Sequence, residues 1–166
     1  MNVYKLTLIA ILSTLAIVGR LFLTFIPNAQ PVTAIIIMTG LLLGPLSGVL
    51  IALITTFVSN IVLGMGIWTI WQILSWSIIG LLAGLLGKLK LKQLPIVVVF
   101  SFLAGYLYGF LISLTTYQVS GKFWPYYIAG LPFDTSHAIG NVVFIILLYP
   151  LMTYLLKKYA HNRFSY

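Results

Sequence analysis

Residues 27–63 read PNAQPVTAIIIMTGLLLGPLSGVLIALITTFVSNIVL, and the number of membrane spans depends on this stretch. Two apolar runs, 31–44 and 46–63, are separated only at Gly44 and Pro45. A helix needs about 20 apolar residues to cross the hydrocarbon core of a bilayer, so the first run is short for a span. It is therefore either a separate short span or the first half of one long helix kinked at Gly44-Pro45.

Outside this stretch, further apolar runs are separated by turn residues, by lysines or by a long polar and aromatic segment. The predicted spans, numbered as segments 1 to 6, are roughly 4–26, 31–44, 46–63, 68–87, 95–117 and 133–156. The first run resembles a signal peptide only superficially, because Arg20 and another apolar stretch follow it in place of a cleavage site. We therefore expect one membrane domain over residues 1–166.

The basic residues distinguish six spans from five, because Lys and Arg concentrate in the cytoplasmic loops of membrane proteins. With six spans and a cytoplasmic N-terminus, Lys122 lies outside, and the predicted cytoplasmic cations are Lys5, Lys88, Lys90, Lys92, Lys157, Lys158 and Arg163. With five spans, Lys5 lies outside as well. The sequence therefore predicts an all-α integral membrane protein, a bundle of six transmembrane helices with both termini cytoplasmic.

Composition excludes a soluble fold and several classes of enzyme. Of the residues, 61% are hydrophobic and 6% are charged, and the mean hydropathy is +1.14, whereas soluble domains carry about 25% charged residues. The chain has no Cys, two His and a single acid, Asp134. These counts exclude thiolate catalysis, paired catalytic carboxylates and a three-His zinc site. The net charge of +8 is spread along apolar sequence and forms no basic face for nucleic acid. We expect a protein that is not an enzyme and that holds no metal or cofactor.

Aromatic and amide side chains are concentrated on the predicted outer side of the membrane. At 100° per residue, four side chains of segment 4 share one face, with Trp76 at its edge: Trp68, Trp71, Gln72 and Ser75. This stripe is either an aromatic belt at the membrane interface or one wall of a ligand pocket. A belt does not require Gln and Ser in the same stripe, which favours the pocket.

Polar side chains at membrane depth are costly and usually face a partner or a cavity. On segment 6, Asp134, His137 and Asn141 are spaced i, i+3 and i+7 and share one helical face. They line a pocket or tie segment 6 to the outer loops, or else Asp134 caps the start of the helix while His137 is bonded to a neighbour. Arg20 extends to the outer interface, orders the first outer loop or meets a ligand. Asn60 either caps a helix end or binds a ligand.

Small residues at four-residue spacing allow membrane helices to approach closely. The motifs are Ala10-x-x-x-Thr14 in segment 1, Gly80-x-x-x-Gly84 and Ala83-x-x-x-Gly87 in segment 4, and Gly105-x-x-x-Gly109 in segment 5. Each motif either packs within this bundle or contacts a partner membrane subunit. Segment 1 is the best candidate for a partner contact, because a terminal helix can lie on the outside of a bundle.

The order and spacing of several phrases resemble the substrate-binding S component of an energy-coupling factor (ECF) vitamin transporter. The phrases are Gly19-Arg20, PNAQPVTA at 27–34, Ser59-Asn60, GMGIWTIWQ at 64–72 and PFDTSHAIGN at 132–141. The resemblance implies a subunit of the prokaryotic plasma membrane that binds a vitamin from outside and has no ATPase of its own. Such a subunit docks on a transmembrane coupling subunit with two cytoplasmic ATPase subunits, usually through Ala-x-x-x-Ala on segment 1. Here Thr14 stands in place of the second Ala.

The resemblance and the polar outer side together predict a ligand site near the outer surface. The expected substrate-binding residues are Asn28, Gln30, Asn60, Trp68, Trp71, Gln72, Trp124, Tyr127, His137 and Asn141, and the expected docking residues are Ala10 and Thr14. A loop over residues 118–132 is expected to close over the ligand. The phrases are closest to S components for cobalamin or related corrinoids, and riboflavin, folate and a queuosine precursor are alternatives.

Two other functions are compatible with a small membrane bundle. A membrane-embedded enzyme would need a nucleophile and a base, but the adjacent Ser136 and His137 project about 100° apart on a helix. A stand-alone carrier or channel would need polar residues along a full transmembrane path, whereas the predicted inner half is mainly Leu, Ile, Gly and Ala. Co-purification with a coupling subunit and two ATPases would distinguish the S component from both.

Overall fold

The computed structural model describes residues 3–26 and 28–160, and within these ranges it is entirely helical apart from turns. The helices are α1 (Val3–Phe22), α2 (Val32–Leu43), α3 (Pro45–Leu63), α4 (Ile67–Lys88), α5 (Leu94–Ser120) and α6 (Trp124–Ala160). All except α2 are long and apolar enough to cross a membrane. The prediction of a six-helix membrane bundle is therefore confirmed. Pro27 of the quoted stretch and Arg163 of the charge count lie outside the described residues.

Helices α2 and α3 are separate, so the alternative of one long kinked helix is wrong. Gly44 follows α2 with φ +97, a backbone conformation that residues with a Cβ rarely adopt, and its N–H donates to the carbonyl oxygen of Gly40. Pro45 then occupies the first position of α3, where its missing N–H costs no helical hydrogen bond. The Gly-Pro pair thus ends one helix and begins the next.

The short helix α2 lies in the middle of the bundle, in contact with all five other helices. Every residue of α2 except Leu42 is buried. Its 12 residues reach only about 18 Å at 1.5 Å per residue, and non-helical residues 28–31 precede it. Two of these residues, Asn28 and Gln30, line a cavity. Non-helical backbone at membrane depth is tolerated only where it is buried in protein or lines a cavity.

The glycines of α4 and α5 pack inside the bundle. A Cβ added at Gly80 would lie 2.6 Å from the backbone of Gly48 on α3, and one added at Gly105 would lie 2.6 Å from the Cα of Ala138 on α6. Such contacts allow backbones to approach closely and leave no room for a side chain. For these two helices, packing within the bundle is therefore the correct interpretation of the small-residue motifs.

Helix α6 begins at Trp124, although the sequence predicted a start at residue 133. Pro132 was taken as the boundary, but it lies inside the helix, and Pro125 occupies the favourable first turn. The expected loop over 118–132 is therefore wrong, because only residues 121–123 separate α5 from α6. Asp134 is ten residues inside α6 and cannot be its N-terminal cap.

The two ends of the bundle differ in chemistry. At one end, here called the basic end, Lys88, Lys90 and Lys92 line a common cavity with Gly44, and the ammonium of Lys5 is close to Gly44. At the opposite end, here called the amide end, the lining side chains of a second cavity include Asn28, Gln30 and Gln72. Because Lys and Arg favour the cytoplasmic side, we expect the basic end to face the cytoplasm and the amide end to face outward.

Candidate ligand-binding site

Arg20 of α1 is buried near the amide end, with 7% of its surface exposed. Its Nη1 donates hydrogen bonds to the hydroxyl of Ser59 and to Oδ1 of Asn60, the latter at 2.9 Å. Its guanidinium carbon lies 5.1 Å from the centre of the Trp76 ring, within cation–π range. Arg20 therefore faces the interior of the bundle, and the alternative in which it extends to the interface is wrong.

Asn60 connects this arginine to α4. The Nδ2 of Asn60 donates to Oγ1 of Thr69 at 2.9 Å and to Oε1 of Gln72 at 2.7 Å. Asn60 is 1% exposed, so these three bonds hold its amide in one orientation. A hydrogen-bond chain from Arg20 through Asn60 to Gln72 thus links α1, α3 and α4.

A second polar cluster links α2, α4 and α6. The indole N–H of Trp76 donates to Oγ1 of Thr33 at 2.8 Å, and the same hydroxyl lies 2.8 Å from Nε2 of His137. Tyr108 of α5 packs against both rings, with centroids 4.9 Å from Trp76 and 4.9 Å from His137. Four helices therefore contribute to one aromatic and polar wall.

These two clusters border a cavity of about 120 Å³ that opens to solvent. Its lining residues are Arg20, Asn28, Gln30, Val32, Thr33, Gln72, Trp76, Tyr108 and His137. Most of these side chains can hydrogen-bond, and two are large aromatics. Ligand pockets usually combine apolar or aromatic walls with a few placed polar groups, and this cavity is at the polar end of that range.

Four of the ten predicted substrate-binding residues line the cavity, namely Asn28, Gln30, Gln72 and His137. Asn60 does not line the cavity itself, but its amide is hydrogen-bonded to Gln72, which does. The Nδ2 of Asn28 also donates to the carbonyl oxygen of Phe133 at 3.3 Å, which ties the turn after α1 to α6. The sequence therefore identified the polar part of the cavity.

The tryptophan of α4 that lines the cavity is not one of the two that were predicted to bind the ligand. Trp68 is 45% exposed, and the indole N–H of Trp71 donates to Oε1 of Gln118 at 3.1 Å, beside α5. Neither tryptophan lines the cavity, whereas Trp76, expected only at the edge of the stripe, does. Trp76 is four residues after Gln72 and shares its face, so the i, i+4 spacing was the available signal.

The remaining predicted residues lie elsewhere. Trp124 and Tyr127 form a surface cluster with Phe110 and Phe123 next to an apolar groove, and Trp124 is 65% exposed. Asn141 is fully buried and donates to the carbonyl oxygen of Ser101 at 3.3 Å, which ties α6 to α5. None of these three predicted residues lines the cavity.

Five cavity residues were not among the predicted binding residues: Arg20, Val32, Thr33, Trp76 and Tyr108. Of these, Arg20 was considered for ligand contact. Tyr108 lies in a helix that is apolar along most of its length, and its sequence neighbours mark no face. Only the packing of α5 against α6 brings its ring to the cavity.

Ala10 and Thr14 are both exposed on α1, and the Thr14 hydroxyl donates to the carbonyl oxygen of Ala10 at 3.0 Å. The buried face of the helix carries Ile9, Leu12 and Ala16 instead. The hydroxyl of Thr14 thus forms its hydrogen bond within its own helix. Ala10 and Thr14 together form an exposed strip of small side chains on α1. This surface is uncovered in the isolated chain.

Residues 4–162 match the family profile described as ECF transporter, substrate-specific component. The chain therefore belongs to the family of ECF transporter substrate-specific components. It is a membrane-embedded, substrate-binding subunit of an importer, and this family comprises transporter subunits rather than enzymes. The chain has no significant match among solved structures.

Proposed function

We propose that this chain captures a compact, ring-containing compound of the vitamin type in the cavity at the amide end. The observation that carries the proposal is the wall formed by Trp76, Tyr108 and His137 beside the bonded amide of Gln72. Aromatic rings supply large contact area with little loss of side-chain entropy. The fixed polar groups select ligands that can pair with them, because a buried polar group left without a partner costs about 1–3 kcal/mol.

The cavity volume supports a compact ligand that is only partly enclosed. The volume of about 120 Å³ is below the usual range for small-molecule pockets, roughly 300–1,000 Å³. A corrinoid, which the sequence resemblance favours, carries a macrocycle with several amide arms and would have to rest at the opening beside Asn28 and Gln30. We expect a single ring to enter the cavity, with the rest of the ligand at its opening, and a corrinoid is the alternative.

Delivery would follow from docking of the uncovered strip of α1 on a transmembrane coupling subunit that carries two cytoplasmic ATPase subunits. The exposed Ala10 and Thr14 provide a small-residue surface for close helix contact. Because the strip and the cavity use different faces of α1, the chain can hold its ligand while docked.

The test is native mass spectrometry of the full chain purified in mild detergent from cells grown in rich medium. We expect a bound compound in the chain as isolated, visible by colour if it is a corrinoid or a flavin. Gln72→Ala should weaken its binding about 10- to 100-fold, since an unpaired polar group costs about 1–3 kcal/mol. Gln118→Ala is the matched control, because it removes the same amide from an exposed position outside the cavity.

Two outcomes would contradict the proposal. One is a purified chain that carries no small molecule even when it is produced together with its coupling subunit. The other is a compound whose dissociation constant, measured by calorimetry, is the same for Gln72→Ala and Gln118→Ala.

A further inference from the structure

The cavity contains a buried positive charge that pairs with no carboxylate in the part of the chain that the structure describes. Asp134 is the single acidic residue, and its carboxylate lies against Gly109 on α5, between α5 and α6. Across residues 3–26 and 28–160, Arg20 forms no ion pair; its polar partners are the neutral Ser59 and Asn60. A buried charge is costly unless it is paired as well as hydrogen-bonded.

The hydrogen-bond donors of Arg20 are only partly used. Both bonds to described residues come from Nη1, and neither Nε nor Nη2 donates to any part of the chain that the structure describes. Arg20 also lines the cavity. The Nε and Nη2 donors form one of the forked edges of a guanidinium, which matches the two oxygens of a carboxylate.

We propose, on the basis of the function proposed above, that the ligand carries one carboxylate, which pairs with Arg20 while its ring lies among Trp76, Tyr108 and His137. The single guanidinium among the lining residues fits a monoanion better than a polyanion. The neutral partners of Nη1 hold the guanidinium in place without neutralising it, so its charge is available to the ligand.

The proposal is tested with two probes of nearly equal shape, benzoate and benzamide, titrated by calorimetry at neutral pH into the full chain freed of co-purified compound. Benzoate should bind at least about tenfold more tightly than benzamide, because hydrogen bonds between two charged groups are the stronger class. Equal binding, tighter binding of benzamide, or no binding of benzoate up to its solubility limit would overturn the proposal.

Variants locate the effect at Arg20. Arg20→Gln should abolish the preference for benzoate, and Lys122→Gln should retain it, since Lys122 is an exposed cation at the same end but outside the cavity. Asn60→Asp is a second route if Arg20→Gln does not fold. It places a carboxylate where Oδ1 now accepts from Arg20 at 2.9 Å and should also abolish the preference. Retained preference in a folded variant of either kind would overturn the proposal.

These outcomes can be separated from failure of the proposed function. A benzoate preference that depends on Arg20, in a chain that supports no ATP-dependent uptake with its coupling module, would leave the anion site standing and remove the transport assignment. Uptake of a neutral compound by a chain that shows no preference for benzoate would leave the transport assignment standing and remove the anion site.

Discussion

Asn60→Ala should destabilise the bundle, because this side chain joins three helices at the amide end. The substitution removes one bond from the charged Arg20 and two to the neutral side chains of Thr69 and Gln72. Neutral side-chain hydrogen bonds between membrane helices average about 0.6 kcal/mol, and a bond to a charged group contributes about 1.5–3 kcal/mol. Together these values give a loss of about 3–4 kcal/mol in the free energy of unfolding.

The loss can be measured by unfolding the protein with sodium dodecyl sulfate in mixed micelles, followed by circular dichroism. Gln93→Ala is the control, because Gln93 is exposed before α5 and its side chain makes no capping bond. The control should change the free energy by less than about 0.5 kcal/mol. A loss below about 1 kcal/mol for Asn60→Ala would refute the idea that the hydrogen-bond chain holds α1, α3 and α4 together.

Two further predictions concern docking and orientation. Ala10→Leu should abolish ATP-dependent uptake in vesicles with the coupling module and leave ligand affinity unchanged, because Ala10 is exposed and outside the cavity; a parallel loss of affinity would count against a docking role. Lys90→Cys should react with a membrane-impermeant maleimide only from the cytoplasmic side, and Lys122→Cys only from outside. Native cysteines are absent and cause no background. Labelling of position 90 from outside would reverse the expected orientation.

Hydropathy was sufficient to find the helices, because the bilayer imposes length and apolarity on any span. The predicted segments 46–63, 68–87 and 95–117 agree closely with Pro45–Leu63, Ile67–Lys88 and Leu94–Ser120. The short second segment was also correct as a separate helix. Its burial in the centre of the bundle explains why it needs no full span length.

The main error in the fold came from proline. Pro132 was interpreted as the start of a helix, since proline usually interrupts one, but α6 continues through it from Trp124. Transmembrane helices tolerate proline because neighbouring groups can satisfy the freed backbone atoms. Trp124 and Tyr127 were therefore assigned to a closing loop, although they lie in helix α6.

The sequence by itself determined which end of the bundle carries the polar site, because Asn28, Gln30 and Gln72 follow or begin spans on the side opposite the lysine cluster 88–92. It could not determine which side of each helix faces the cavity. The helices are apolar around most of their circumference, so hydrophobic periodicity does not mark the buried face.

Close packing between the helices decides which side of each helix faces the cavity. The contacts of Gly80 with Gly48 and of Gly105 with Ala138 allow the backbones to meet along particular faces. These contacts set the rotation of α4 and α5, so that Trp76 and Tyr108 face the cavity while Trp68 faces outward. The position of Arg20 likewise depends on partners about 40 residues away on α3. Only the tertiary structure could bring that charge to the site, because local sequence carries no information about such distant contacts.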